Sequence, residues 1–260
     1  MARGGFSERL GFLRRRIAAL EGVGAGQILR PEAAAGDPLQ PGPLSEILPA
    51  APRDAPVAAA LAFALAARAL EARPGAALAW IVEDMSAREI GLPYGRGLAA
   101  AGLDPSRLAL IRTRRPRETF EAMEEALRSR AGAVVAESWE TPGRYDLLAS
   151  RRLLLAARRG GGVGLLVLPR AAGAAQRFST AAEARFEAAA APPQQSGGWP
   201  CDHPVFRLRI VKNRAAPGAS ADPNVWRDVA FDPQTRSFHA LSRRPSAASA
   251  DRPAAEARRA

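Results

Sequence analysis

From residue 44 to residue 168, short apolar runs alternate with longer stretches whose apolar residues recur at helical spacing. Residues 44–48, 76–83, 107–112, 133–136 and 163–168 read as strands. Residues 57–70, 94–101, 116–130 and 145–159 read as the helices between them, with Phe120, Met123, Ala126 and Leu127 on one face of the third. Gly102, Gly132 and the Gly160, Gly161, Gly162 triplet close helices, as flexible residues past a last turn do. Strands alternating with helices of this length predict an α/β fold. The expected form is a doubly wound, mostly parallel sheet with helices on both faces.

The two ends of the chain read differently. Residues 6–21 predict an amphipathic helix, with Leu10, Leu13, Ile17 and Leu20 on one side and Arg14, Arg15 and Arg16 on the other. That apolar stripe suits packing on its own domain or docking to another subunit, and the residues slightly favour the first. Residues 22–43 hold many glycines and prolines and read as a linker. Beyond residue 169, residues 180–191 are helical or extended. Residues 205–211 then alternate apolar Phe206, Leu208 and Ile210 with Arg207 and Arg209, the mark of a half-buried strand. Residues 226–231 and 237–241 predict further short strands, hence a β-rich end. Residues 242–260 are Arg, Ala, Ser and Pro without periodicity and predict a disordered basic tail. The expected organisation is a helix and linker (1–43), a core (44–241) and a tail (242–260).

Composition narrows the class. A chain of 260 residues with 47% apolar residues can bury one substantial core. No apolar run is long enough to span a bilayer, and no signal peptide is evident, so the expectation is a cytoplasmic protein without membrane contact. A single cysteine, Cys201, excludes an internal disulfide. The net charge of +11 rests almost wholly on arginine, Lys212 being the only lysine. Such a surface associates with polyanions at low salt, which suits nucleoid association. Direct DNA contact and the holding of an acidic protein partner both stay open on charge alone.

The first strand leads into a segment laid out like a phosphate-binding loop, yet the binding residues are missing. In the frame G-x-x-x-x-G-K-[ST], the glycines fall on Pro49 and Asp54, the lysine on Ala55 and the hydroxyl residue on Pro56. Prolines remove amide donors, Asp54 repels phosphate, and no ammonium or Mg²⁺-binding hydroxyl is present. Asp54 and Pro56 instead predict a helix start, as capping carboxylate and early-turn proline.

Several stretches, in order, resemble the core of the RecA recombinase family. Tyr94-Gly-Arg-Gly-Leu-Ala-Ala-Ala-Gly-Leu-Asp104 is similar to a Tyr-Ala-x-x-Leu-Gly-Val-Asp phrase before a strand. Ala133-Val-Val-Ala-Glu-Ser138 resembles the Walker B strand, with Glu137 where the Mg²⁺-associated aspartate sits. Phe206-Arg-Leu-Arg-Ile-Val-Lys-Asn-Arg214 is similar to a late Val-Lys-Asn-Lys strand. With the degenerate loop, and with short segments where RecA carries mobile DNA-binding loops, the chain resembles the ImuA family. The stretches at 114–128 and 148–157 look typical of it. That resemblance implies a non-enzymatic accessory of SOS translesion synthesis, acting with an ImuB-like inactive relative of lesion-bypass polymerases and an error-prone DnaE-type polymerase. The alternative is a DNA-binding modulator of RecA filaments, with the helix at 6–21 docking on RecA.

The remaining chemistry is sparse. Glu83-Asp84 sits near where RecA proteins keep a water-activating carboxylate, but that group has no task when no γ-phosphate is held, so a solvated strand end is the better reading. Glu137 reads as a relic or a satisfied sheet-end carboxylate, and Glu46 as structural. Cys201 and His203, with His239 the only other histidine, are too few for a tetrahedral metal site. No cofactor or metal is expected. Candidate contacts to nucleic acid or a partner are Arg112, Arg114, Arg115 and Arg117 at a strand end, Arg151 and Arg152 on a helix, and Arg207, Arg209, Lys212 and Arg214 on a late strand. Each alone suits a solvated face; together they suggest an extended positive surface.

Overall fold

A computed structural model of the chain describes residues 4–21, 39–141, 144–191, 203–216 and 222–241. Cys201, most of the expected linker, the loop at 192–200 and the expected basic tail lie outside the described residues.

Nine strands form one sheet: β1 (Leu44–Pro49), β2 (Leu78–Glu83), β3 (Leu108–Thr113), β4 (Ala133–Glu137), β5 (Val163–Val167), β6 (Ala184–Ala190), β7 (Val205–Asn213), β8 (Arg227–Asp232) and β9 (Ser237–Leu241). Their order is β3-β2-β4-β5-β1-β6-β7-β8-β9. The pairings from β3 through β6 are parallel, and those from β6 to β9 antiparallel. This is the expected mostly parallel α/β sheet with a strand-rich C-terminal end, consistent with a RecA-like fold. The parallel strands β1, β2 and β4 are buried along their whole length. Such burial explains the nearly continuous apolar sequences of β2 and β4, while β1 buries Ser45 and Glu46 among its apolar residues.

Helix α2 (Ala55–Glu71) covers one face. Its Leu61, Leu65 and many alanines let it lie close on Ile47, Val135 and Val167. The other face carries α1 (Gly4–Glu21), α5 (Pro116–Arg128) and α6 (Leu147–Gly160), with Met123, Leu127, Leu153 and Tyr145 at its centre. Two short helices, α3 (Asp84–Glu89) and α4 (Gly95–Ala100), connect β2 to β3. Helix α3 was not evident from the residue pattern, because six residues are too few for a helical period to show.

Helix α6 begins where Asp146 accepts a hydrogen bond from the Ala149 N–H at 2.8 Å, and it ends on Gly161 at φ 73°, a left-handed cap. The preceding Gly160 has a second reason to be glycine: a Cβ there would lie 1.8 Å from the Leu127 carbonyl oxygen. Helices α5 and α6 approach that closely only because the side chain is missing.

Residues 180–191 resolve as strand β6 rather than helix. Phe186 and Ala188 join the α2-side core, while Arg185 and Glu187 alternate onto the opposite face. In β7, Phe206, Leu208 and Ile210 are buried as the alternation predicts.

Candidate functional site at the carboxyl edge of the sheet

The carboxyl ends of parallel strands are where an open α/β sheet binds ligands. Here that edge carries the loop after β1 and the carboxylates ending β2 and β4. The loop runs from Pro49 through a turn of 3-10 helix (Pro52–Asp54) into α2. Pro49, Pro52 and Pro56 have no N–H. The Ala50 N–H donates to the Ala188 carbonyl at 2.8 Å, the Asp54 N–H to the Ala51 carbonyl at 2.9 Å, and the Ala55 N–H to the Pro52 carbonyl. The Ala51 N–H donates to Asp54 Oδ2 at 3.1 Å. Nearly every amide that a phosphate loop would aim at its ligand is therefore engaged within the protein.

Asp54 is buried and does not cap α2 as its position suggested. A capping carboxylate accepts from the second or third helical N–H, and Pro56 in the first turn removes one of them. Asp54 turns back onto Ala51 instead, and its Oδ1 accepts the Ala190 N–H at 3.1 Å. It thereby fastens the loop to the end of β6. Pro56 does occupy the first turn of α2, as expected.

Glu83 ends β2 and is buried. Its Oε2 accepts from Ser138 Oγ at 3.1 Å and from the Trp139 N–H at 2.8 Å. Burial raises its pKa, and those two hydrogen bonds oppose the rise. Glu137 ends the neighbouring β4, with Trp80 Nε1 donating to its Oε1 at 2.7 Å. Its Oε2 is buried without a hydrogen-bond partner among the described residues. Burial pushes the Glu137 carboxyl up to about 7. The two glutamates do not converge: Glu83 follows Ile81 on the α5 side, and Glu137 follows Val135 on the α2 side. Glu83 is a buried anchor for the β4 exit rather than a solvated strand end. Among the described residues no group of acidic, histidine or cysteine side chains could hold a metal ion.

The arginine clusters divide. Arg112 pairs with Asp84 at 2.8 Å, Arg117 with Glu121 at 2.8 Å and Arg152 with Glu124 at 2.7 Å. Arg207 pairs with Asp228 at 3.5 Å directly across β7 and β8, and Arg209 pairs with Glu187 directly across β6 and β7. Lys212 donates to the Thr180 carbonyl at 3.1 Å, and burial, with Arg214 nearby, lowers its pKa. Arg114, Arg115, Arg151 and Arg214 are exposed, and among the described residues their side chains have no acidic partner within ion-pair distance. Arg207 and Arg209 are thus half-buried cross-strand pairings, and Lys212 is tied to the segment before β6, so the three are not an open positive stripe. Strand alternation put them on one face; only the sheet order showed that Glu187 and Asp228 lie opposite.

The stripe on α1 is likewise engaged. Leu13 and Ile17 are fully buried in the core on the α5 side, Leu10 packs against it, and Arg14 holds Glu125 of α5 at 2.5 and 2.7 Å. The side chain of Leu20 lies outside the described residues. Of the two readings of this stripe, the structure shows the slightly favoured one, packing within the domain, where α1 covers the α5 side of the sheet.

One constellation escaped the sequence reading. Glu46 of β1, fully buried, accepts from Arg185 Nε at 2.7 Å and from Tyr145 Oη at 2.9 Å. Arg185 also donates to the carbonyls of Ala175 (2.6 Å) and Phe178 (2.8 Å) and to Thr180 Oγ1 (2.9 Å). Its guanidinium lies over the Phe178 ring. Burial and the Glu46 carboxylate push the Tyr145 phenol well above its ordinary pKa. The available signal was a glutamate and an arginine each inside a mostly apolar strand.

No known protein family matches the chain, and no curated protein does. Among solved structures, the chain is similar to the crystal structure of SulA from Pseudomonas aeruginosa, with 23% identity over 49% of this chain and 98% of that one. The TM-score is 0.34, a likeness too slight to carry an argument.

Proposed function

We propose that the chain is a non-catalytic accessory of damage-inducible translesion DNA synthesis, joining or regulating a complex of an ImuB-like polymerase relative and an error-prone DnaE-type polymerase. The observation that carries this reading is the loop after β1. A sheet of the RecA type keeps its phosphate-loop position, yet fills it with three prolines that have no N–H and an inward-turned aspartate that accepts the Ala51 and Ala190 amides. With nothing to hold a γ-phosphate, the carboxylates at the strand ends serve as anchors for the backbone and for Trp80. What remains functional in such a chain is its surface. The assignment to translesion synthesis rests on the ordered resemblance to the ImuA family.

The test is ultraviolet-induced mutation frequency in a strain lacking this gene, scored alongside survival. The expected result is a collapse of induced mutation that the wild-type gene restores; unchanged mutation refutes the role. Calorimetry addresses the non-catalytic part separately, where saturable micromolar binding of ATP would overturn it. The reading as a modulator of RecA filaments relied on the helix at 6–21 as a docking element, and α1 has its apolar stripe engaged inside the domain.

A further inference from the structure

Helix α6 buries one side against α5 and the sheet through Leu153, Leu154, Ala156 and Ala157. Its outer side holds a second apolar series. Leu148 is 69% exposed and Leu155 42% exposed, one on each side of Arg151 and Arg152 at positions i, i+3, i+4 and i+7. That spacing forms a single stripe about 10 Å long down the helix. The helix contains four arginines and no acidic residue. Arg152 and Arg158 are held by Glu124 and Glu183, while Arg151 and Arg159 have no ion-pair partner among the described residues.

The exposed Leu148 and Arg151 are not needed to hold the helix, which its buried side, both caps and the Arg152–Glu124 pair already fix. Beside it, between α5 and α6, lies a cavity of about 310 Å³ with apolar Phe120, Ala149 and Leu153 in its lining, whose glutamates Glu121 and Glu124 are paired with Arg117 and Arg152 and which Glu140 also lines. Arg152 belongs to both and is already held by Glu124, so the cavity suits an apolar side chain of the occupant, and Arg151 and Arg159 are the cations left for its acidic ones.

We infer that the outer face of α6 docks an acidic amphipathic helix of a partner protein. Charge complementarity selects this occupant. A second copy related by a two-fold axis would set arginine against arginine. A nucleic-acid strand would satisfy the arginines but leave the leucines without an apolar counterpart. A helix with leucines at i and i+7 and glutamates flanking them meets both features at once, through ridge-into-groove packing and solvent-exposed ion pairs. The inference deepens the proposed accessory role by naming its surface, and it rests on that role only for which protein supplies the helix.

The experiment uses the full chain and a fluorescein-labelled acidic amphipathic peptide of about five turns, which matches the length of α6 with a margin. Fluorescence anisotropy is read against a scrambled peptide of the same composition. The expected result is saturable binding that weakens with salt and falls at least about tenfold in the Leu148→Glu, Leu155→Glu double variant, a difference near 1.4 kcal/mol. Arg151→Glu should weaken it too, and Arg88→Glu, on the distant α3, should not. Leu148→Ala with Leu155→Ala keeps helix propensity and covers the case in which the glutamates disturb folding. Three results overturn the inference: equal binding of the scrambled peptide, unchanged binding by both double variants, or displacement of the peptide by single-stranded DNA whose own affinity falls with the leucine substitutions. Peptide binding that persists while mutation frequency proves independent of the gene would leave the surface standing and remove the role.

Discussion

Arg185→Met removes the cation from the most deeply buried ion pair among the described residues. The Glu46 carboxylate would keep only the Tyr145 hydroxyl, at 2.9 Å, inside a site with no exposure. The carbonyls of Ala175 and Phe178 and the Thr180 hydroxyl would each lose a donor as well. Breaking a buried pair from one side costs about 3–5 kcal/mol, because the remaining charge is left without compensation. For a domain of this size each kcal/mol moves Tm by about 2–4 °C, so the loss should be about 6–20 °C. Circular dichroism against temperature reads it directly. Replacing both members together, Glu46→Leu with Arg185→Met, should recover a large part of the loss, since an apolar pair carries no desolvation penalty. Hydrogen exchange should report the local consequence, with faster exchange across residues 175–180 in the single variant. A Tm shift under about 2 °C for Arg185→Met would refute the claim that this pair holds the segment before β6 onto β1.

Further outcomes follow from single groups. Glu137 titrates at about 7 in the fold against 4.5 ordinarily, so the folded state binds the extra proton between those values and stability falls as pH rises from about 4.5 to about 7. The span is worth on the order of 3 kcal/mol, and Glu83 moves in the same direction. Urea unfolding at about pH 5 and about pH 8 should show a smaller difference for Glu137→Gln than for the wild type, and an equal difference would contradict the assignment. Asp54→Ala should cost about 1–3 kcal/mol by leaving the Ala51 and Ala190 amides unpaired, read as a lower urea midpoint. Gly160→Ala should destabilise by about 1–3 kcal/mol or more, because its methyl group would meet the Leu127 carbonyl oxygen; an unchanged Tm would show that α5 and α6 can slide apart freely.

The alternation of strand and helix was legible because β2, β4 and β5 are nearly continuous apolar runs, and because Gly160 to Gly162 leave no other way to end α6. That Pro49, Asp54, Ala55 and Pro56 do not supply the residues of a phosphate loop was equally plain. The direction in which Asp54 turns was not, since its second partner, the Ala190 amide, stands 136 residues away. Residues 180–191 were ambiguous because alanine-rich stretches suit helix by propensity and strand by burial. The sheet decided, offering β6 a place between β1 and β7. The arginines read as one positive surface because a sequence shows which charges share a strand and never which charges face them.

Local composition determined the periods, the helix ends, the apolar set and the absence of phosphate-loop residues between Pro49 and Pro56, all properties fixed within one or two turns of chain. Only the tertiary structure decided which charges are used up. It paired Arg209 with Glu187 and Arg207 with Asp228, buried Arg185 against Glu46, turned Leu13 and Ile17 of α1 inward, and left Leu148, Arg151 and Leu155 facing outward. The physical reason is that pairing and burial depend on neighbours brought together by sheet order. Sheet order follows from packing of the whole core and from no single segment.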